Sequence, residues 1–110
     1  MYMPRRDIEE MRLQPAALIA VRVQGDSMEP MLSAGDSIVV NLLDKTPTHK
    51  GIFAVNFKGQ ACVKQLLHRG GQWYLHSMNA DHETVNVRSG ECEIVGRVVY
   101  QPGRRLVRVE

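Results

Sequence analysis

Glycine-bounded aliphatic runs recur along most of this chain, and that punctuation constrains the fold more than any other feature. Ala17–Val23 runs into Gly25, Gly35–Asn41 and Gly51–Phe57 each open on glycine, and Lys58-Gly59 precedes Gln60–Leu67. Gly70-Gly71 divides that run from Gln72–Ser77. Thr84–Val87, Glu93–Tyr100 and Arg105–Val109 complete the series, the last two separated by Pro102-Gly103. Short aliphatic runs at intervals of roughly ten residues, joined by glycine dipeptides, predict antiparallel hairpins. The expected fold is mainly β. Only two stretches suggest helix. Polar Asp7–Leu13 is stopped by Pro15, and Ser27–Leu32 places a serine ahead of Pro30, at a turn or a helix N-terminus. Residues 1–15 thus read as an N-terminal arm or linker remnant, and residues 16–110 as the domain.

A length of 110 residues suits one domain and excludes a large multidomain enzyme or a Rossmann platform of usual size. The longest apolar run, Ala16–Val21, is far short of the roughly 20 residues a membrane span needs. No apolar segment follows Arg5-Arg6, so no signal peptide is expected, and the cytoplasm is the expected compartment. A net charge of +2 is too mild to imply direct nucleic-acid binding. Arg5, Arg6, Arg104, Arg105 and Arg108 are sparse and not interleaved with aromatics, which fits a solvated face. Cys62 and Cys92 lie in apolar contexts and are expected as free thiols rather than a disulfide. His49, His68, His76 and His82 show no metal-ligand spacing, so neither a metal nor a cofactor is expected. There is no G-x-S-x-G, which leaves a nucleophile-elbow hydrolase unsupported.

One pair of segments has the residue types that a different chemistry needs. Val23-Gln-Gly-Asp-Ser-Met-Glu-Pro-Met-Leu32 offers a serine behind a glycine, and Ala61-Cys-Val-Lys-Gln-Leu66 offers a lysine on a strand. A serine hydroxyl is a weak nucleophile until a base takes its proton, and a neutral amine can be that base. Strand alternation puts Cys62, Lys64 and Leu66 on one face, so Lys64 projects among apolar neighbours. Burial penalises an ammonium ion and so favours the neutral amine. Gly25 allows a sharp turn that can aim two main-chain N–H groups at one point, as an oxyanion requires.

At these residues the chain resembles the LexA-like peptidase family, the S24 group that includes LexA, the UmuD proteins and phage repressor C-terminal domains. Gly25-Asp-Ser-Met-Glu-Pro-Met-Leu32 is similar to the family's nucleophile box, Gly35-Asp-Ser-Ile-Val-Val40 to the strand after it, and Gly51-Ile-Phe-Ala-Val55 to the next. Val63-Lys-Gln-Leu66 resembles the lysine box, and Ile94-Val-Gly-Arg-Val-Val99 the closing strand. The resemblance runs from about Ala17 to Val109, and the interval between Ser27 and Lys64 also fits the family. It implies a twisted antiparallel β assembly, related to that of signal peptidases, with at most one short helix. It implies a dimer formed through the C-terminal portion. Ser27 would be the nucleophile, Lys64 its general base, and the Asp26 and Ser27 N–H groups the oxyanion hole.

The reaction the resemblance implies is self-cleavage at an Ala-Gly or Cys-Gly bond ahead of the serine. In repressors this severs a helix-turn-helix DNA-binding domain after DNA damage, through a RecA filament. Here residues 1–24 contain no glycine, so the usual bond is absent and the isolated chain is expected not to cut itself. Ala80 stands where relatives often carry proline. Type I signal peptidases share a similar serine box, but His68-Arg-Gly-Gly-Gln72 follows the lysine in place of their later box. The leading expectation is a self-cleaving peptidase and dimerisation domain of a LexA-like or phage-type repressor. Its alternatives are a non-catalytic dimerisation module and a UmuD-like subunit that modulates a DNA polymerase.

Overall fold

Valine- and isoleucine-rich runs form strands because branched side chains fit the pleated surface and lose little freedom there. The computed structural model describes residues 3–88, 90–102 and 104–106, without the side chains of residues 104 and 105. Its strands are β1 Leu18–Arg22, β2 Ser37–Asn41, β3 Ile52–Phe57, β4 Gln60–Arg69, β5 Gln72–His76, β6 Val85–Asn86, β7 Cys92–Gln101 and β8 Arg104–Arg105. They join one sheet in the order β1-β2-β7-β3-β4-β5-β6, with β8 paired to β7. Every pairing is antiparallel. The expected mainly antiparallel β fold is the one observed. No helix among the described residues is long and apolar enough to cross a membrane.

Two tight hairpins fix the central register. Lys58 and Gly59 turn β3 into β4 with φ of 50° and 83°, and Gly70 and Gly71 turn β4 into β5 with 57° and 76°. Paired positive φ values match the right-handed twist of the flanking strands. Late in sequence, β7 enters between β2 and β3 and joins the two halves of the sheet. Its register shifts at Val39/Val40 of β2 and at Ala54/Val55 of β3, irregularities that bend a sheet.

The helical expectations needed adjustment. Helix α1 spans Arg5–Glu10, starting earlier than Asp7 and ending before Leu13. Arg12 at φ 56° ends it, and the Leu13 N–H closes back on the Ile8 carbonyl at 2.9 Å. Ser27–Leu32 is not a helix but a run of turns. Pro30 has no N–H and disfavours helical geometry at Glu29, so one helix-like bond survives, Leu32 N–H to Met28 O at 2.9 Å. Of the expected Arg105–Val109 strand, only Arg105 lies in a strand, β8 Arg104–Arg105; Leu106 is a bend, and residues 107–110 lie outside the described residues.

Three apolar clusters cover the sheet. Val23, Met28, Leu32, Ile38, Val40, Ile52 and Val98 form one, seating the serine segment. Phe53, Val55, Leu66 and Leu75 form the second, with Cys62, Trp73, Cys92 and Ile94 packed against it. Val39, Val99 and Tyr100 form the third, covered by Met3, Met11 and Leu13 of the N-terminal arm. Both faces of β2 are thus buried, which is why Ile38, Val39 and Val40 form an unbroken apolar run.

Candidate functional site

The lysine half of the candidate site is built on the β4–β5 hairpin. Lys64 pairs with Phe53 across β3, so its side chain leaves the sheet on the face of the Phe53, Val55, Leu66 and Leu75 cluster. On the other side the hairpin register runs from Arg69↔Gln72 to Gln65↔His76. One step further, just past the end of β5, it sets Ser77 opposite Lys64. There the Lys64 Nζ donates to the Ser77 Oγ at 2.8 Å. Ser77 is only 2% exposed, a buried hydroxyl that needs a partner and has one. Lys64 itself is half-buried. Burial pushes the Cys62 thiol above its ordinary range, and the positive charge of Lys64 draws it part of the way back. That coupling follows from the shared face.

The serine half is a loop closed at its neck. Val23 N–H donates to Asp36 O at 2.8 Å, and Gly35 N–H returns to Val23 O at 2.9 Å. Asp36 Oδ2 also accepts from the Ser33 N–H and from Gln101 Nε2, tying the neck to β7. Met28 at 1% exposure and Leu32 at 0% anchor the loop in the core. Gly25 sits at φ +74° with nothing near its missing Cβ, so glycine answers the backbone conformation there rather than a lack of space. Asp26 O accepts from the Glu29 N–H at 3.1 Å. Neither the Asp26 nor the Ser27 N–H is committed to an acceptor among the described residues, and the half-buried Ser27 hydroxyl makes no hydrogen bond among them.

Asn79 joins the two halves. Its N–H donates to Ser27 O at 2.9 Å, and its Nδ2 donates to Asp26 O at 3.0 Å. Its Oδ1 accepts from the Asp81 N–H at 2.9 Å, and its carbonyl accepts from the His82 N–H at 3.1 Å. Every polar group of Asn79 is therefore used, and the network fixes which side of its amide faces Asp26. His82 Nε2 meets Asp26 Oδ1 at 2.7 Å on the exposed side of the same loop.

Ser27 and Lys64 share no hydrogen bond among the described residues; the amine rests on Ser77. Asn79, which holds the Ser27 backbone, comes two positions after that resting place. Neither Ser77 nor Asn79 was among the expected site residues. For Ser77 the signal was present, because extending the Gly70-Gly71 hairpin by one pair reaches it from Lys64. Cys62 and Cys92 are free, as expected, on strands β4 and β7 with β3 between them. Among the described residues no group of histidine, cysteine and carboxylate side chains could hold a metal ion.

Comparison with known proteins bears directly on this arrangement. Residues 4–99 match the profile of the family described as Peptidase S24-like. Repressor protein CI of Enterobacteria phage phi80 is 27% identical over 86 residues, covering 77% of this chain and 36% of that protein. The chain spans about a third of the length of that curated relative. Because the profile takes in nearly the whole domain, from the N-terminal arm through Ser27 and Lys64 to the closing strand β7, the chain belongs to the Peptidase S24-like family.

Proposed function

We propose that the chain is a serine–lysine peptidase domain of a LexA-like or phage-type transcriptional repressor, acting on a segment of its own polypeptide. The observation that carries this is the short link between the two halves. The Lys64 amine rests on Ser77, and two residues later Asn79 grips the carbonyls of Asp26 and Ser27. Family membership supports the same chemistry.

In the proposed reaction the neutral amine keeps one N–H on Ser77 and takes the Ser27 hydroxyl proton on its lone pair as Oγ attacks the scissile carbonyl. The oxyanion forms against the uncommitted N–H groups of Asp26 and Ser27. Collapse breaks the C–N bond, and the Lys64 ammonium returns its proton to the leaving amine. Water then attacks the Ser27 ester, giving a proton to Lys64, which passes it back to Oγ as the ester opens. A homodimer, an attached DNA-binding domain and a RecA filament as trigger belong to this proposal. No metal enters the scheme.

The experiment is a mass-spectrometric time course of the full chain with synthetic peptides that carry Ala-Gly or Cys-Gly bonds in apolar surroundings, at mildly alkaline pH. Cleavage should be slow, because an untethered bond forfeits a large effective concentration. Ser27→Ala and Lys64→Ala should each abolish it while the fold remains. Equal cleavage by all three proteins would overturn the assignment. A second reading, a dimerisation module that never cuts, is favoured by the absence of a Ser27–Lys64 hydrogen bond. It prevails if the wild-type chain cuts none of the peptides.

A further inference from the structure

Ser77, Met78 and Asn79 form three consecutive residues whose outer two reach opposite partners. We propose that this segment is a positioning strap: the Ser77 hydroxyl holds the base Lys64, the Asn79 amide holds the Asp26–Ser27 backbone, and their spacing sets the amine against the nucleophile. The inference rests on the roles of Ser27 and Lys64 proposed above and adds two residues that neither touch substrate nor exchange its protons.

The chemistry of each contact suits positioning. A neutral amine has two N–H donors and one lone pair. Donating one N–H to Ser77 at 2.8 Å fixes the direction of the amine and leaves the lone pair for the Ser27 proton. Because the Ser77 hydroxyl is buried, it has little freedom to follow a moving lysine, so it acts as a fixed post. At the other end, a peptide's C=O and N–H point in opposite directions. Fixing Asp26 O on Asn79 Nδ2 at 3.0 Å therefore sends the Ser27 N–H away from Asn79, towards the open side where an oxyanion would gather its donors. The second bond, from the Asn79 N–H to Ser27 O at 2.9 Å, holds the next peptide plane in the same way.

Strap and core do different things for the loop. Met28 and Leu32 hold it against the sheet, whereas Asn79 sets the rotation of its peptide planes. A rotation error at that point displaces the reacting atoms without unfolding anything. Misplacement by about 1 Å can cost roughly a hundredfold in rate.

Ser77→Ala, Ser77→Thr and Asn79→Asp test the strap in the full chain. Asn79→Asp keeps the shape and the acceptor for Asp81 but replaces the Nδ2 donor with an oxygen that faces Asp26 O. In the peptide assay, Ser77→Ala and Asn79→Asp should each lower kcat roughly 10- to 100-fold. KM should stay within about twofold, since neither residue binds substrate. Ser77→Thr, which keeps the hydroxyl, should recover most of the rate. A second readout needs no cleavage. In side-chain NMR the two Cε protons of Lys64 should be distinct in wild type and Ser77→Thr, and averaged in Ser77→Ala, where the amine swings free. Wild-type kcat in Ser77→Ala together with unchanged Lys64 resonances would overturn the strap. If the wild-type chain cuts no peptide, the peptidase assignment falls, and the NMR comparison alone decides whether Ser77 holds the amine.

Discussion

The two halves of the site are held by different physics. Lys64 stands on a ten-residue strand paired on both sides, so its direction follows from register with Phe53 and, through the hairpin, with Ser77. Ser27 stands on a loop with no ladder of its own. Its place depends on a closed neck, two buried side chains and hydrogen bonds from one asparagine across the molecule. A ladder spreads its constraint over many weak bonds, and a loop concentrates it in a few contacts. The lysine half should therefore tolerate single substitutions outside Lys64 and Ser77, while the serine half should fail at identifiable points.

The largest stability effect expected from this contrast is at Met28. Its side chain is 1% exposed and packs among Val23, Leu32, Ile38 and Val40. Met28→Ala should cost about 2–5 kcal/mol, lost transfer energy plus the cavity left behind. It should also loosen the loop that carries Ser27 before the sheet melts. Denaturant unfolding gives the first quantity, and hydrogen exchange of the 25–32 amides against those of β4 gives the second. If those amides exchange no faster in Met28→Ala, the loop is not held by its buried anchors and the contrast breaks.

How much of this was legible in the sequence divides along the same line. Lys58-Gly59 and Gly70-Gly71 marked the two hairpins, and alternation put Lys64 on the face of Cys62 and Leu66, because a ladder converts sequence spacing directly into geometry. Ser77 was within reach of the same arithmetic and was missed only because it lies one step past the strand. The loop was legible as a motif but not as a shape. A serine ahead of Pro30 fits a turn or a helix N-terminus equally, and the chain takes the turns. Asn79 reaches Asp26 across 53 residues of chain, and no local period connects the two. Contacts of that kind come from the packing of loops on a finished sheet.

Two glycines sharpen the contrast at intermediate cost. On the sheet, Gly96 faces β2 so closely that a Cβ would meet the Asn41 carbonyl oxygen and, at 2.7 Å, Val40 Cγ1. Gly96→Ala must push strands apart and should cost about 1–3 kcal/mol. In the loop, a Cβ at Gly25 meets nothing within 4 Å, so only the left-handed backbone resists substitution. Gly25→Ala should cost about 1–2 kcal/mol. Its larger effect should be on cleavage, because relaxing φ there turns the Asp26 N–H. Thermal melts and peptide cleavage for both variants separate the two kinds of constraint. A Gly25→Ala protein with wild-type cleavage would mean that the turn at Gly25 does not shape the oxyanion site.

The smallest expected effect tests the lysine half through Cys62. Burial raises this thiol above its ordinary range, and the nearby Lys64 charge lowers it by less. A thiol whose value is raised by folding holds its proton more tightly in the native state than in the unfolded chain. Its contribution to stability is fully present below the unfolded value and is lost as pH rises through the folded one. Wild type should therefore lose stability on the alkaline side, and Cys62→Ala should lose less over the same window; Cys92 is raised by burial in the same sense and leaves a residual slope. Lys64→Met supplies the sharper measurement. Removing the cation takes away the lowering influence, so the Cys62 thiol moves further up and less thiolate is present at a given alkaline pH. Alkylation of Cys62 by iodoacetamide in a Cys92→Ala background should then slow when Lys64 is replaced. Thiolate-specific labelling at an unchanged rate would mean that the amine does not lie over the Cys62 face, and the register that places Lys64 against Ser77 would lose its electrostatic support.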